Sequence, residues 1–294
     1  MTPEIVVLGN LLVDDIVFED GRTRMAEAGG AVLHAAAAGA LWARVGVASV
    51  RGPDYPQDAL DALAARGADL SAVEARPRGV RTWLLYEGER RRLIHRLDVP
   101  THTEASPAGV PAAWLDARAF HLAPMPFDVQ RALVAQLADA RGLVSLDPHD
   151  PLTPESLEAW RPVIAGSDVL WLGREELELG REDDPLPTLR GLAGGRLRYV
   201  LWKRGARGGW LYDVAADALG AWTARADTVA DPTGAGDAFA AGFVAGLLRG
   251  DEPPRALLRA LVSASFAMEG WGARALLAAT PADAARRLDV WSAS

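Results

Sequence analysis

The chain has no cysteine, a single lysine (Lys203) and a single asparagine (Asn10) among its 294 residues. Without cysteine there is no disulfide framework and no thiolate metal site, and nothing calls for an oxidising compartment. Positive charge is also short: 31 Lys and Arg stand against 39 Asp and Glu, giving a net charge of -8 and a pI of about 5.2. A protein of that sign lacks the basic footprint that nucleic acid or an anionic membrane needs, so an anionic ligand must be held locally. A long apolar run near the N-terminus is missing too. The run there, Ile5-Val6-Val7-Leu8, is soon followed by Asp14 and Asp15, too short for a signal peptide or a membrane span. These absences describe a cytoplasmic protein of ordinary globular composition, 50% hydrophobic and 24% charged, long enough to bury a sizeable core. The scarcity of Lys and Asn beside abundant Arg and Ala looks like a codon-composition bias, so an Asn missing from a motif reads as drift.

What is present centres on Asp231-Pro232-Thr233-Gly234-Ala235-Gly236-Asp237, between a polar run and a long apolar one, residues 238–248. Such a stretch reads as a loop that opens a buried helix. Gly234, Ala235 and Gly236 are too small to block the backbone, so their N–H groups can approach a bound group, and the positive helix end favours an anion. Asp237 would be a poor anion ligand there. Its useful role is to take a proton from a hydroxyl that attacks phosphorus. The plainer alternative is a tight turn with Asp237 as a helix cap.

Along the chain, short apolar strands alternate with helices, the mark of an α/β fold with a doubly wound, mostly parallel sheet flanked by helices. Strands are predicted at 5–8, 45–50, 120–122, 143–146, 169–172 and 199–202. Helices are predicted at 31–43, 56–66, 128–140, 154–164, 175–179, 186–192, 237–248, 254–269 and 281–291. No linker separates domains, so residues 1–294 form one unit. Segments 82–86 and 92–95 flank Glu87-Gly88-Glu89 as a hairpin. Asp14, a few residues past the first strand, falls in the crevice where such sheets bind ligands, and its carboxylate can hold a diol. Gly29 and Gly30 allow a substrate close to the backbone. His34, in the helix that follows, either meets a substrate hydroxyl or is a buried structural histidine.

Residues 231–244 closely resemble the C-terminal active-site motif of the ribokinase-like (PfkB) carbohydrate kinases, and the resemblance spans essentially the whole chain. It implies that Asp237 is the catalytic base, that the amides of Gly234, Ala235 and Gly236 form the anion hole, and that Asp231 helps hold a cation near the nucleotide. Asp14, Gly29 and Gly30 would bind the acceptor together with His34, which stands where the family usually has Asn. Glu176 matches the Glu of an Asn-x-x-Glu motif that acts through water on magnesium and the phosphates, with Gly173 in place of the Asn. Lys203, Gly205 and Gly208 fall in the turn under the nucleotide phosphates, with Thr233 and Gly236 on the same side, and residues 270–273 flank the adenine. The cofactors implied are ATP and Mg²⁺, with room for a monovalent cation. A small β-sheet lid, about 15–29 and 80–98, would cover the acceptor and pair with a second lid in a homodimer.

The function expected is an ATP-dependent kinase acting on a hydroxyl of a small carbohydrate or polyol. Alternatives are a nucleoside kinase of the same family and a catalytically silent protein that binds sugar or nucleotide. Arg90, Arg91, Arg92 and Arg96, in or beside the lid hairpin, could clamp a phosphate, but Asp14 would repel a second anion. A neutral acceptor is therefore expected over a phosphorylated one.

Overall fold

The computed structural model describes residues 2–88, 90–96, 104, 106–173, 177, 179 and 183–293. In chain order the elements are β1 (Ile5–Leu8), β2 (Leu12–Phe18), β3 (Thr23–Gly29), α1 (Ala31–Gly39), β4 (Val45–Arg51), α2 (Gln57–Ala65), β5 (Asp69–Ala75), β6 (Val80–Glu87) and β7 (Arg90–His95). There follow β8 (Ala119–Leu122), α3 (Phe127–Gln136), β9 (Leu143–Leu146), α4 (Leu157–Ala165), β10 (Val169–Leu172), α5 (Pro185–Gly191), β11 (Tyr199–Lys203), β12 (Gly209–Asp213) and β13 (Ala218–Trp222). The last quarter is helical: α6 (Ala235–Leu248), α7 (Pro253–Met268), α8 (Arg274–Ala278) and α9 (Pro281–Ser292).

Nine strands make the main sheet, in the order β13-β12-β11-β10-β9-β8-β1-β4-β5. From β11 to β5 all neighbours are parallel, and β12 and β13 close one edge antiparallel. The parallel strands are short continuous apolar runs because both faces are covered. Successive residues alternate between the two faces. Val7, Val47, Trp171 and Leu201 pack under α1, α2 and α6–α9, while Leu8, Phe120, Leu172 and Trp202 pack under α3–α5. Each such side chain removed from water contributes about 1.5–3 kcal/mol. A separate four-stranded sheet, β3-β2-β6-β7, is the expected small sheet.

The strands expected at 5–8, 143–146 and 169–172 stand as expected, the other expected main-sheet strands differ by a residue, and the two hairpin strands each begin two residues earlier. Four helices are shorter than their patterns suggested, α2 by one residue at each end. α1 stops at Gly39, and residues 40–43 continue as tight turns, with Trp42 N–H donating to the Gly39 carbonyl at 2.9 Å. α3 ends at Gln136 in a similar turn, and α4 starts only at Leu157, after a turn closed by Thr153 and Ser156. β5, β12, β13 and α8 were not anticipated. β5 is a half-exposed edge strand and β13 carries Gly220 on the outer edge, so neither shows an apolar run. The helix expected at 175–179 falls largely on positions outside the described residues. Among the described residues, no helix is long and apolar enough to cross a membrane.

α6 is buried on nearly every side from Ala238 to Gly246. Phe239 and Phe243 meet the Trp171 ring edge-on at 5.9 and 5.5 Å. Its glycines serve a close helix contact: a Cβ on Gly242 would lie 2.9 Å from Ala260 Cα, and one on Gly246 2.8 Å from Ala256 Cα, both in α7. In an open helix Gly→Ala gains up to about 1 kcal/mol, whereas overpacking costs about 1–3 kcal/mol. Gly242→Ala is therefore expected to lose about 1 kcal/mol net. Gly191→Ala, in α5 with nothing within 4 Å of the added methyl, should be neutral or gain a few tenths. Denaturant unfolding of the two variants compares the signs directly.

Candidate active site

The strand order reverses its direction of growth between β1 and β8, and a crevice opens outside the carboxyl ends of strands at such a switch point. Successive close approaches gather the predicted residues there. Gly30, the N-cap of α1, has φ +97, and a Cβ on it would strike the Asn10 carbonyl just past β1. One turn along α1, the His34 ring sits against Gly234, the N-cap of α6. Gly234 adopts φ +74, ψ 0, and any side chain there would overlap that ring. Lys203, at the end of β11, places its Nζ 3.6 Å from where a Gly236 Cβ would be. The helix begins two residues before Asp237, so Asp237 lies in its first turn, beside the amides of Gly234, Ala235 and Gly236.

The carboxylates of this crevice are held in different ways. Asp147, directly after β9, is buried and pairs with Lys203 Nζ at 2.8 Å. Asp231 is fully buried; its Oδ1 accepts from Thr233 N–H at 2.9 Å and Thr233 Oγ1 at 2.6 Å, its Oδ2 from Gly272 N–H at 2.8 Å. Asp237 is half-exposed at the crevice floor. Loss of water around it and the neighbouring Asp147 charge raise its pKa above 3.8, against the opposing charges of His34, Lys203 and Arg91. Asp14 is buried, with Oδ1 accepting from Thr82 Oγ1 at 2.6 Å and Oδ2 against the Gly29 backbone. Burial raises its pKa too, and the Thr82 hydrogen bond and the charges of His34 and Arg91 only partly offset it. His34 Nδ1 lies 3.2 Å from the Gly30 carbonyl. A carbonyl only accepts, so Nδ1 carries a hydrogen. The ring's Nε2 is buried with no protein partner.

The small sheet faces this crevice with alternate residues. Thr82, Leu84 and Tyr86 of β6 are buried, and in register beside them stand Asp14, Ile16 and Phe18 of β2 and His95, Leu93 and Arg91 of β7. The other face carries Asp15, which accepts a bidentate pair from Arg81, both bonds at 2.7 Å. Burial works to raise the Asp15 pKa, but the bonds from Arg81 and Ala26 outweigh it and hold it below 3.8. A register shift between Asp14 and Ile16 accompanies this, with Ala26 at φ 58 donating to Asp15 Oδ1 at 2.8 Å. The lid arginines divide by the same alternation. Arg92 pairs with Glu87 at 3.4 Å and Arg96 with Asp15 at 3.8 Å, while the Arg91 charge acts on Asp14 and Asp237.

The structure thus brings together Asp14, Gly29, Gly30, His34, Lys203, Thr233, Gly234, Ala235, Gly236 and Asp237, with Asp231 behind Thr233. Gly205 and Gly208, at φ +58 and +76, turn β11 into β12, an antiparallel hairpin. Glu176 lies outside the described residues. Sequence reasoning missed Asp147, Thr82 and Tyr86. Asp147 had a usable signal, an acid directly after an apolar strand; Thr82 and Tyr86 had none, because their partners are 68 and 147 residues away.

A profile of the pfkB family carbohydrate kinases matches residues 3–279. Cytidine kinase of Thermococcus kodakarensis is 29% identical over 273 residues, spanning 92% of this chain and 97% of the relative. A putative ribokinase II from E. coli, solved with ATP and Mg²⁺, superposes with a TM-score of 0.76 at 18% identity, covering 99% of this chain and 100% of that one. Ribokinase of Arabidopsis thaliana, complexed with ribose and ATP, gives 0.73 at 19% identity, covering 98% and 99%.

The opposite pKa shifts make opposite predictions for stability. Asp237 has a raised folded-state pKa, so its charged form is penalised by folding at neutral pH. The penalty fades as pH falls toward 3.8. Asp15 is lowered and stabilises above its unfolded value, an effect lost as pH falls through the folded one. Asp237→Asn should raise Tm at pH 7, with the gain shrinking toward pH 4; Asp15→Asn should lower it. Thermal scans from pH 4 to 8 read both signs.

Proposed function

Since the chain belongs to the pfkB family of carbohydrate kinases, we propose that it transfers the γ-phosphoryl group of ATP to a hydroxyl of a small neutral polyhydroxylated acceptor. The observation that carries this is Asp237 in the first turn of α6, its pKa raised, beside the Gly234–Gly236 amides and with Lys203 nearby. A raised pKa suits a base that must receive a proton. The attacking O–H gives its proton to Asp237 as its oxygen bonds to the γ-phosphorus, and the bond to the leaving oxygen of ADP breaks. The amides of Gly234, Ala235 and Gly236 stabilise the transferring charge from fixed positions. Asp14 accepts from the acceptor's hydroxyls, the Gly29-Gly30 backbone lies alongside, and His34 Nε2 shares a further hydrogen bond with a hydroxyl.

Lys203, anchored by Asp147, and the Gly205–Gly208 turn face the nucleotide phosphates, together with Thr233. Asp147, directly after β9, and Glu176 would supply oxygen donors to a magnesium ion beside the phosphates, and the metal would neutralise phosphate charge there. Asp231 has three donors on a carboxylate with about four acceptor sites, which leaves one for a monovalent cation. Use of ATP accords with a cytoplasmic location.

A nucleoside acceptor is the second reading, favoured by the cytidine kinase that matches over 92% of this chain; a ribose offers Asp14 the same diol. Asp237→Asn is expected to leave ligand affinity nearly intact and to reduce turnover by roughly two to four orders of magnitude. Near wild-type turnover would remove Asp237 as the base. Phosphorylation assays on free hexoses, pentoses, cyclitols and nucleosides, each beside its monophosphate, identify the acceptor. A higher kcat/KM for any monophosphate, lost in Arg91→Ala, would overturn the neutral acceptor.

The outer face of the small sheet carries half-buried Val17, Trp83 and Leu85, with Ile94 40% exposed. A homodimer through this face is part of the proposal, because a small open sheet cannot cover both faces itself. Sedimentation should give a dimer at micromolar concentration, weakened by Ile94→Asp; a wild-type monomer would sink the idea.

A further inference from the structure

Tyr86 connects the small sheet to the catalytic loop. Its hydroxyl lies 2.7 Å from Thr233 Oγ1. Thr233 Oγ1 in turn donates to Asp231 Oδ1 at 2.6 Å, and a hydroxyl has one hydrogen to give. Tyr86 is therefore the donor. Burial pushes its pKa up to about 12, so the hydrogen is present at neutral pH. Asp231 then ties in the turn at Gly272. Donation runs from the small sheet through Thr233, the residue before Gly234, to Asp231, and Gly272, in the segment preceding α8, donates to the same carboxylate.

The contacts around these hydrogen bonds also join the small sheet to the body. Phe18 stacks on Tyr86 at 4.8 Å and meets Trp271 edge-on at 5.5 Å. The Arg22 guanidinium lies 4.6 Å from the Phe18 ring centroid and donates to the Ala230 carbonyl at 3.3 Å. Arg24 lies 5.5 Å from the Trp271 ring centroid. Aromatic and cation–π contacts dock the sheet with little directional demand. The Tyr86–Thr233 bond is directional, and it acts on the backbone next to Gly234.

We propose that Tyr86 is a positioning residue: from the small sheet its O–H holds Thr233 and so fixes the Thr233-Gly234 backbone, bringing the anion-hole amides and Asp237 into register. The inference rests on the kinase reading given above, but part of its test does not.

Tyr86→Phe keeps the ring and its stack on Phe18 and removes only the donor. In this variant kcat should fall about 10-fold, as expected for one lost hydrogen bond, with both KM values within about twofold and Tm within a few degrees. Thr233→Val should lose at least as much, and adding Tyr86→Phe to it should cost nothing more. Amide exchange of residues 232–237 should quicken in Tyr86→Phe. Wild-type kcat in Tyr86→Phe would overturn the proposal, as would a repeated full loss on the Thr233→Val background. If the wild-type protein phosphorylates no acceptor, the kinase reading fails and exchange decides for Tyr86: unchanged protection of 232–237 overturns its role.

Discussion

The positive end of α6 has to stand at the mouth of the parallel sheet while the helix behind it is buried on nearly every side. Both demands fall on small residues. Gly242 and Gly246 let α7 approach to contact distance, and Gly234 leaves room for the His34 ring at the other end. A side chain at Gly234 would push away both the helix start and α1. The donors that a helix start leaves unpaired are thereby presented to a ligand at a fixed place, and Asp237 is carried with them.

Electrostatics sorts the acidic residues of the crevice. Asp147 is balanced by Lys203, Asp231 by three hydrogen-bond donors, and Asp15 by Arg81 on the far side of its strand. Asp14 and Asp237 have pKa values raised by their surroundings. One faces the crevice from the small sheet, the other from the helix. Perturbed carboxylates that keep free acceptor capacity are the groups expected to act on a ligand.

The same alternation that builds the small sheet assigns its charges. Asp14 and Asp15 are neighbours in sequence with opposite pKa shifts, because successive residues of β2 point to opposite faces. Consecutive arginines on β7 divide in the same way, Arg91 toward the crevice and Arg92 away from it. This sheet is more than a cover. Through Tyr86 and Thr233 it reaches the loop that opens α6.

Much of this was legible in the amino-acid order. Apolar runs of four residues between helical patterns specify a parallel sheet whatever surrounds them, since only a strand covered on both faces tolerates them. Gly234-Ala235-Gly236-Asp237 states its own geometry, because small residues before an acid at a helix start allow few arrangements. Gly29 and Gly30 were legible for the same reason. The edge strands β5 and β13 were not, as a strand with one exposed side needs no apolar run. Nor could the sequence say that Asp147 anchors Lys203, that Thr82 holds Asp14, or that Tyr86 gives its hydrogen to Thr233. Those pairings join residues far apart in the chain, and distance in sequence carries no record of them. Only the winding of the sheet, which brings the ends of β1, β9 and β11 to one crevice and folds β6 over it, decided which side chains would meet.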